Sequence, residues 1–234
     1  MTTTAHTGHA VVSRPRLRGW LHAAMVPLAL ASAWTLWRTA PSEGASRLPV
    51  LVFGVCLVGL YATSSLYHVP PWGARVRRIL SRCDRAMIQL FIMATFTPIA
   101  FHTLSGSWRM WSLLIAWLVG IVGAVLAALP LSASRWIPTL KNASPWVPAL
   151  SYVGVGWLLV VPFTKIIDAL PWEGSALIVL GGLLYTIGAF IYAKRWPDPS
   201  PRWFGFHEIF HLLVIAGSTA HYVAVWRYVL PGAS

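Results

Sequence analysis

The chain is 234 residues long, 57% of them apolar and only 10% charged, with a mean hydropathy of +0.65. That composition excludes a soluble enzyme. A formal charge of +12 is also found in nucleic-acid modules, but here the Lys and Arg lie scattered over short loops between apolar runs, where they suit lipid headgroups and the setting of topology.

Residues 1 to 19 are polar and basic, with Thr2, Thr3, Thr4, Arg14, Arg16 and Arg18, and lack apolar periodicity, so a disordered cytoplasmic tail is expected there. Seven apolar segments follow, at 20 to 38, 48 to 68, 84 to 104, 109 to 129, 146 to 164, 174 to 193 and 204 to 229. Each is long enough to cross the roughly 30 Å hydrocarbon core as a helix. The expectation is an all-α, polytopic membrane protein whose residues 20 to 230 form a single seven-helix transmembrane domain. In the first segment Ala31-Ser32-Ala33 imitates a cleavage site, yet the apolar run continues through Trp34 and Trp37. Pro70-Pro71 should end the second segment, and the basic stretch from Arg75 to Arg82 then reads as an interfacial helix. Pro98, Pro148 and Pro162 are expected to kink the third and fifth segments. Cys56 and Cys83 read as free thiols.

Twelve Lys and Arg fall in the tail and in the loops after segments two, four and six, against five on the other side. The positive-inside rule then puts the amino terminus in the cytoplasm and the carboxyl terminus outside. Trp20, Trp37, Trp108, Trp146, Trp172 and Trp203 lie near segment ends, as an interfacial belt requires.

An ionisable group inside a membrane costs at least a few kcal/mol and asks for a reason. With the amino terminus inside, segment two finishes at His68 while segments three and seven begin near Asp84 and His207, so four candidate groups share one depth at the cytoplasmic end. His207 and His211 are four residues apart and share a helix face; Ser64 stands one turn above His68. Three histidines with one open position make a catalytic zinc arrangement, and a neighbouring carboxylate can orient or deprotonate a water there. His22 and His102 read as interfacial anchors, and His221, about 15 Å beyond His211, as a hydrogen-bonded residue of the bundle. Asp84 has a second reading, as a partner of Arg82 or Arg85. Residues 207 to 211 also match His-Glu-x-x-His, where Glu208 would be the base of a metalloprotease; its alternative is a solvated side chain that snorkels.

Ser64-Ser65-Leu66-Tyr67-His68, then Asp84 followed by Thr95-Phe96-Thr97-Pro98, and finally His207 to His211 continuing through Ala216-Gly217 to His221-Tyr222, together resemble the hemolysin III family. That family is the bacterial branch of the progestin and adiponectin receptor family. The resemblance implies seven helices, an inside amino terminus and an intramembrane zinc (Zn2+) near the cytoplasmic face of a bacterial cell membrane. It also implies that His68, His207 and His211 bind the metal, that Asp84 holds a water on it and that Ser64 supports the site. The group is similar to a wider set of membrane hydrolases that includes alkaline ceramidases. Three functions are therefore expected in competition: a zinc-dependent hydrolase of lipid amide or ester bonds; a non-enzymatic membrane-homeostasis or cytolytic, pore-forming protein with a structural zinc; and an intramembrane zinc protease. Membrane lipids are the expected partners, and nucleic acid is not.

Overall fold

The computed structural model describes residues 15–42, 44–129, 146–158 and 160–233. Most of the predicted tail and the loop after the fourth segment lie outside the described residues. Helices α1 (Trp20–Thr39), α2 (Leu48–His68), α3 (Ala74–Thr103) and α4 (Gly106–Ala128) come first. They are followed by α5 (Trp146–Leu158), α6 (Phe163–Asp168), α7 (Trp172–Lys194) and α8 (Phe206–Ala224), the last continuing as a π turn over Val225–Val229. Among the described residues the only strand-like feature is an isolated bridge between Ser200 and Phe204. The expected all-α membrane class holds.

Five of these helices are long and apolar enough to cross a membrane: α2, α3, α4, α7 and α8 with its π turn. Two expected spans depart from that standard. α1 has the length, 20 residues, but His22, Arg38 and its Ser, Thr and Trp residues dilute its apolar character. The fifth segment is not one helix at all. α5 stops after 13 residues, a turn closes through the Val160 N–H on the Trp157 carbonyl (3.0 Å), and α6 restarts behind Pro162. Pro162 has no N–H to continue the ladder and disfavours helical geometry at Val161, so the break follows from the sequence.

The third segment differs in the opposite sense. The expected interfacial stretch and the span are fused into one 30-residue helix, about 45 Å long, that starts at Ala74 instead of residue 84. Nothing between Arg75 and Asp84 breaks a helix, so the helix begins as soon as the proline pair has been passed. Pro70-Pro71 does end α2 as expected, two residues after His68.

Burial identifies α3 as the central helix: 56% of its most apolar window is covered inside the protein, against 17% for α4. Leu114, Leu118, Ile121, Val122 and Val125 of α4 stand exposed, an apolar surface of the kind a membrane-spanning helix presents. Because lipid is as apolar as a leucine face, helices in a bilayer associate through close packing and polar contacts. Both are present. Small residues let α7 and α8 approach closely, for a Cβ at Gly181 would collide with the His221 ring and one at Gly217 with Tyr185. Side-chain hydrogen bonds join α2 to α8 (Tyr61 to Ser218, 2.6 Å), α4 to α3 (Trp117 to Thr97, 3.0 Å) and α3 to α5 (Gln89 to Ser151, 3.1 Å). Phe53 and Phe91 stack across the α2–α3 seam at 5.9 Å.

Candidate metal centre

The last turns of α2 and the first turns of α8 meet at the same end of the bundle. Helical periodicity puts Ser64 and His68 on one face of α2, and His207 and His211 on one face of α8. Ser64, His68 and His211 are all buried. Nε2 of His207 stands 3.1 Å from Nε2 of His68, and one nitrogen from each of His68, His207 and His211 lies within 4.8 Å of the others. The rings do not stack. His68 is inclined by 74° to His207 and by 61° to His211, which is inclined by 60° to His207. Inclined rings with adjacent nitrogens aim their in-plane lone pairs at a shared volume, and tetrahedral ligation at about 2.0–2.1 Å sets nitrogen separations of about 3.3 Å. Nδ1 of His211 is buried without a hydrogen bond. The three imidazoles fit a metal ion.

The fused α3 places Asp84 in its third turn, half-buried, instead of at the opening of a span. Its carboxyl is a side-chain partner of the Ser64 hydroxyl, one turn from His68. Among the described residues no carboxylate belongs to the ligand cluster, so Asp84 stands beside it and not in it. Among the described residues Asp84 forms no ion pair, and Arg85 turns to Ser81 Oγ at 2.6 Å. Tyr67 packs on His68 with ring centres 4.3 Å apart, and Tyr192 of α7 lies 5.6 Å from His207.

Two residues belong to this region in ways the sequence reading missed. Glu208, expected either as a catalytic base or as a solvated side chain, is fully buried. One carboxylate oxygen pairs with Arg18, just ahead of α1, and the other accepts the Gly205 N–H at 2.8 Å, which caps α8. Both oxygens are occupied by structural partners. His22, expected at the interface, is only 2% exposed and stacks face to face on His211, with ring centres 3.9 Å apart and planes 8° apart. His221 follows expectation: it is buried with Nδ1 donating to the Gly217 carbonyl at 3.0 Å. His102 lies in the last turn of α3, about 27 Å along the helix from Asp84 and so far from the cluster.

The same residues now have relatives to stand beside. A family model described as "Haemolysin-III related" matches residues 11–222, which takes in every site residue above. Hemolysin-3 of Bacillus cereus is 32% identical over 184 residues, 78% of this chain and 76% of that protein. The Hemolysin-3 homolog of Bacillus subtilis (strain 168) is 28% identical over 178 residues, 76% of this chain and 75% of the relative. The human monocyte to macrophage differentiation factor is 22% identical over 213 residues, 89% and 82% of the two chains. A match across nearly the whole chain and a bacterial relative above 30% identity agree on one assignment: the chain belongs to the haemolysin-III related family.

Proposed function

We propose that this protein is a zinc-dependent hydrolase of lipid amide or ester bonds in a bacterial plasma membrane, with its amino terminus and its metal centre on the cytoplasmic side. One observation carries the reading: three imidazoles from α2 and α8 converge on a common volume while a carboxyl, Asp84, stands beside them outside the ligand set. Three histidines with an open position favour zinc, and a bound zinc ion supplies Lewis acidity toward a carbonyl oxygen and acidifies water to a pKa of about 7. His68, His207 and His211 would hold the ion. Asp84 would take the proton of the attacking water at a carboxylate oxygen and return it to the leaving amine or alkoxide, with the Ser64 hydroxyl fixing the orientation of that carboxyl. Membrane lipid reaches such a site sideways from the bilayer.

The intramembrane protease reading needs Glu208 as a free base. Its engagement with Arg18 and the Gly205 N–H weighs against that role. A cytolytic or pore-forming role draws support from the name Hemolysin-3 of the Bacillus cereus relative. A pore, though, requires a polar stripe, whereas the exposed face of α4 is apolar. The deciding experiment is elemental analysis of detergent-purified protein together with release of fatty acid from ceramide and ester lipids in mixed micelles. The expected result is one zinc per chain and turnover abolished by chelation. Folded protein with bound zinc and no turnover on either lipid class moves the assignment to a structural metal.

A further inference from the structure

We infer that the head of α1 is a positioning element of the metal centre, in which the face of the His22 ring fixes the plane of the His211 imidazole. The inference rests on the metal-centre reading above and extends it to a helix that supplies no ligand.

The geometry separates His22 from the three ligands. Their rings are inclined to one another by 60–74°, so their lone pairs converge. His22 is within 8° of parallel to His211 at 3.9 Å. Lone pairs lie in the ring plane, so those of two parallel stacked rings run side by side and do not meet at one ion. His22 is therefore a plate against His211 and not a fourth ligand. Neither Nδ1 nor Nε2 makes a hydrogen bond of good geometry, and the one polar contact of the ring is with the backbone of His211 itself, the residue on which it lies. An imidazole buried without such bonds is costly, and here the ring face is what the neighbours use.

The plate is itself held from several sides. Tyr61 packs on His22 with ring centres 5.0 Å apart, and its hydroxyl is locked to Ser218 of α8 at 2.6 Å. Arg18 pairs with Glu208, between the two ligands of α8. The Arg16 and Leu17 N–H groups donate to the Arg202 and Trp203 carbonyls at 2.9 and 3.2 Å, tying the approach to α1 to the approach to α8. Gly19, at φ +84°, brings its backbone against His68 so closely that a Cβ there would strike the His68 Cβ. The start of α1 thus touches His68 through Gly19, Glu208 through Arg18 and His211 through His22. Outer-shell groups that orient ligands commonly change metal affinity by about 10- to 100-fold when removed.

The test uses full-length protein in detergent and reads metal binding, independent of any substrate. Zinc affinity is measured by competition with a chromophoric chelator, and the visible spectrum of the cobalt(II)-loaded protein reports ligand geometry. His22→Phe keeps a flat ring without nitrogens; His22→Gln keeps comparable bulk and hydrogen-bonding capacity without a ring; His22→Ala removes both. We expect His22→Phe to bind zinc within about threefold of wild type with an unchanged cobalt spectrum. His22→Gln and His22→Ala should bind about 10- to 100-fold more weakly with shifted bands. If His22→Ala does not fold, the comparison of Phe with Gln carries the test alone. Wild-type affinity in His22→Gln overturns the inference, and so does a loss in His22→Phe as deep as in His22→Gln, because the nitrogens and not the face would then be at work. A folded wild type that takes up neither zinc nor cobalt overturns the metal-centre reading, and this inference with it.

Discussion

α8 carries two histidine environments ten residues apart, and their contrast separates a site from a packed residue. At the head of the helix His207 and His211 meet His68 with rings inclined and nitrogens gathered within 4.8 Å. Deeper along the same helix His221 is equally enclosed, but its Nδ1 is satisfied by the Gly217 carbonyl one turn back and its ring lies 17° from parallel to Tyr185 at 5.4 Å. Burial is common to both. What differs is whether the ring nitrogens gather with others from separate helices or spend an N–H on the nearest backbone carbonyl. Inside a membrane an ionisable side chain alone is an invitation to look for function; convergence is what turns it into a candidate.

The sharpest way to break that contrast is to remove one converging ring. His211→Ala should abolish stoichiometric zinc and hydrolysis together, because two imidazoles leave the ion without its third protein ligand. Elemental analysis and lipid turnover on the same preparation check it, and a full equivalent of zinc retained in the variant refutes the ligand assignment. Asp84→Asn separates ligand from base. Since Asp84 lies outside the cluster, zinc should stay near one per chain while turnover falls by about 10²- to 10⁴-fold, the usual span for a lost general base. Loss of zinc in that variant would make Asp84 a ligand.

How far the sequence led can be judged on single residues. The His68, His207 and His211 set was legible because two simple rules, alternating span direction and the i, i+4 face of a helix, put all three at one depth and on facing surfaces. The same depth argument applied to His22 at the start of the first segment. It was lost because a single histidine near an interface has an ordinary explanation, and ring stacking between distant segments leaves no trace in spacing. Glu208 was misread for a related reason. Its carboxylate is neutralised by Arg18, 190 residues away in sequence, so no local pattern announces the pair. α3 starts ten residues ahead of the expected span because charges mark the end of an apolar run but not of a helix, and an arginine-rich stretch continues a helix perfectly well. The break in the fifth segment has its signal in Pro162, where an interruption stands in place of the expected kink.

The ion pair gives a third, smaller effect. Removing one partner of a fully buried pair costs about 3–5 kcal/mol; Glu208→Gln should cost less, about 1–3 kcal/mol, because the Arg18 side chain remains 18% exposed and the amide oxygen can still accept the Gly205 N–H. Thermal unfolding in detergent checks it. A base role for Glu208 predicts the reverse pattern, with stability kept and turnover abolished.

The smallest effect is expected at the other end of the comparison. His221→Phe preserves the ring that rests on Tyr185 while deleting the nitrogen that donates to Gly217. The Gly217 carbonyl loses a second, side-chain donor, so stability should fall by no more than about 1–1.5 kcal/mol, the net worth of one such hydrogen bond. Zinc content and affinity should match wild type, since His221 lies about 15 Å along the helix from His211. Parallel measurements of unfolding temperature and chelator competition test both halves of that expectation. A variant that unfolds like wild type but has lost its zinc would mean that the two histidine environments communicate through α8. Convergence at the head of the helix would then depend on packing in its middle, and the division between site and scaffold drawn here would fail.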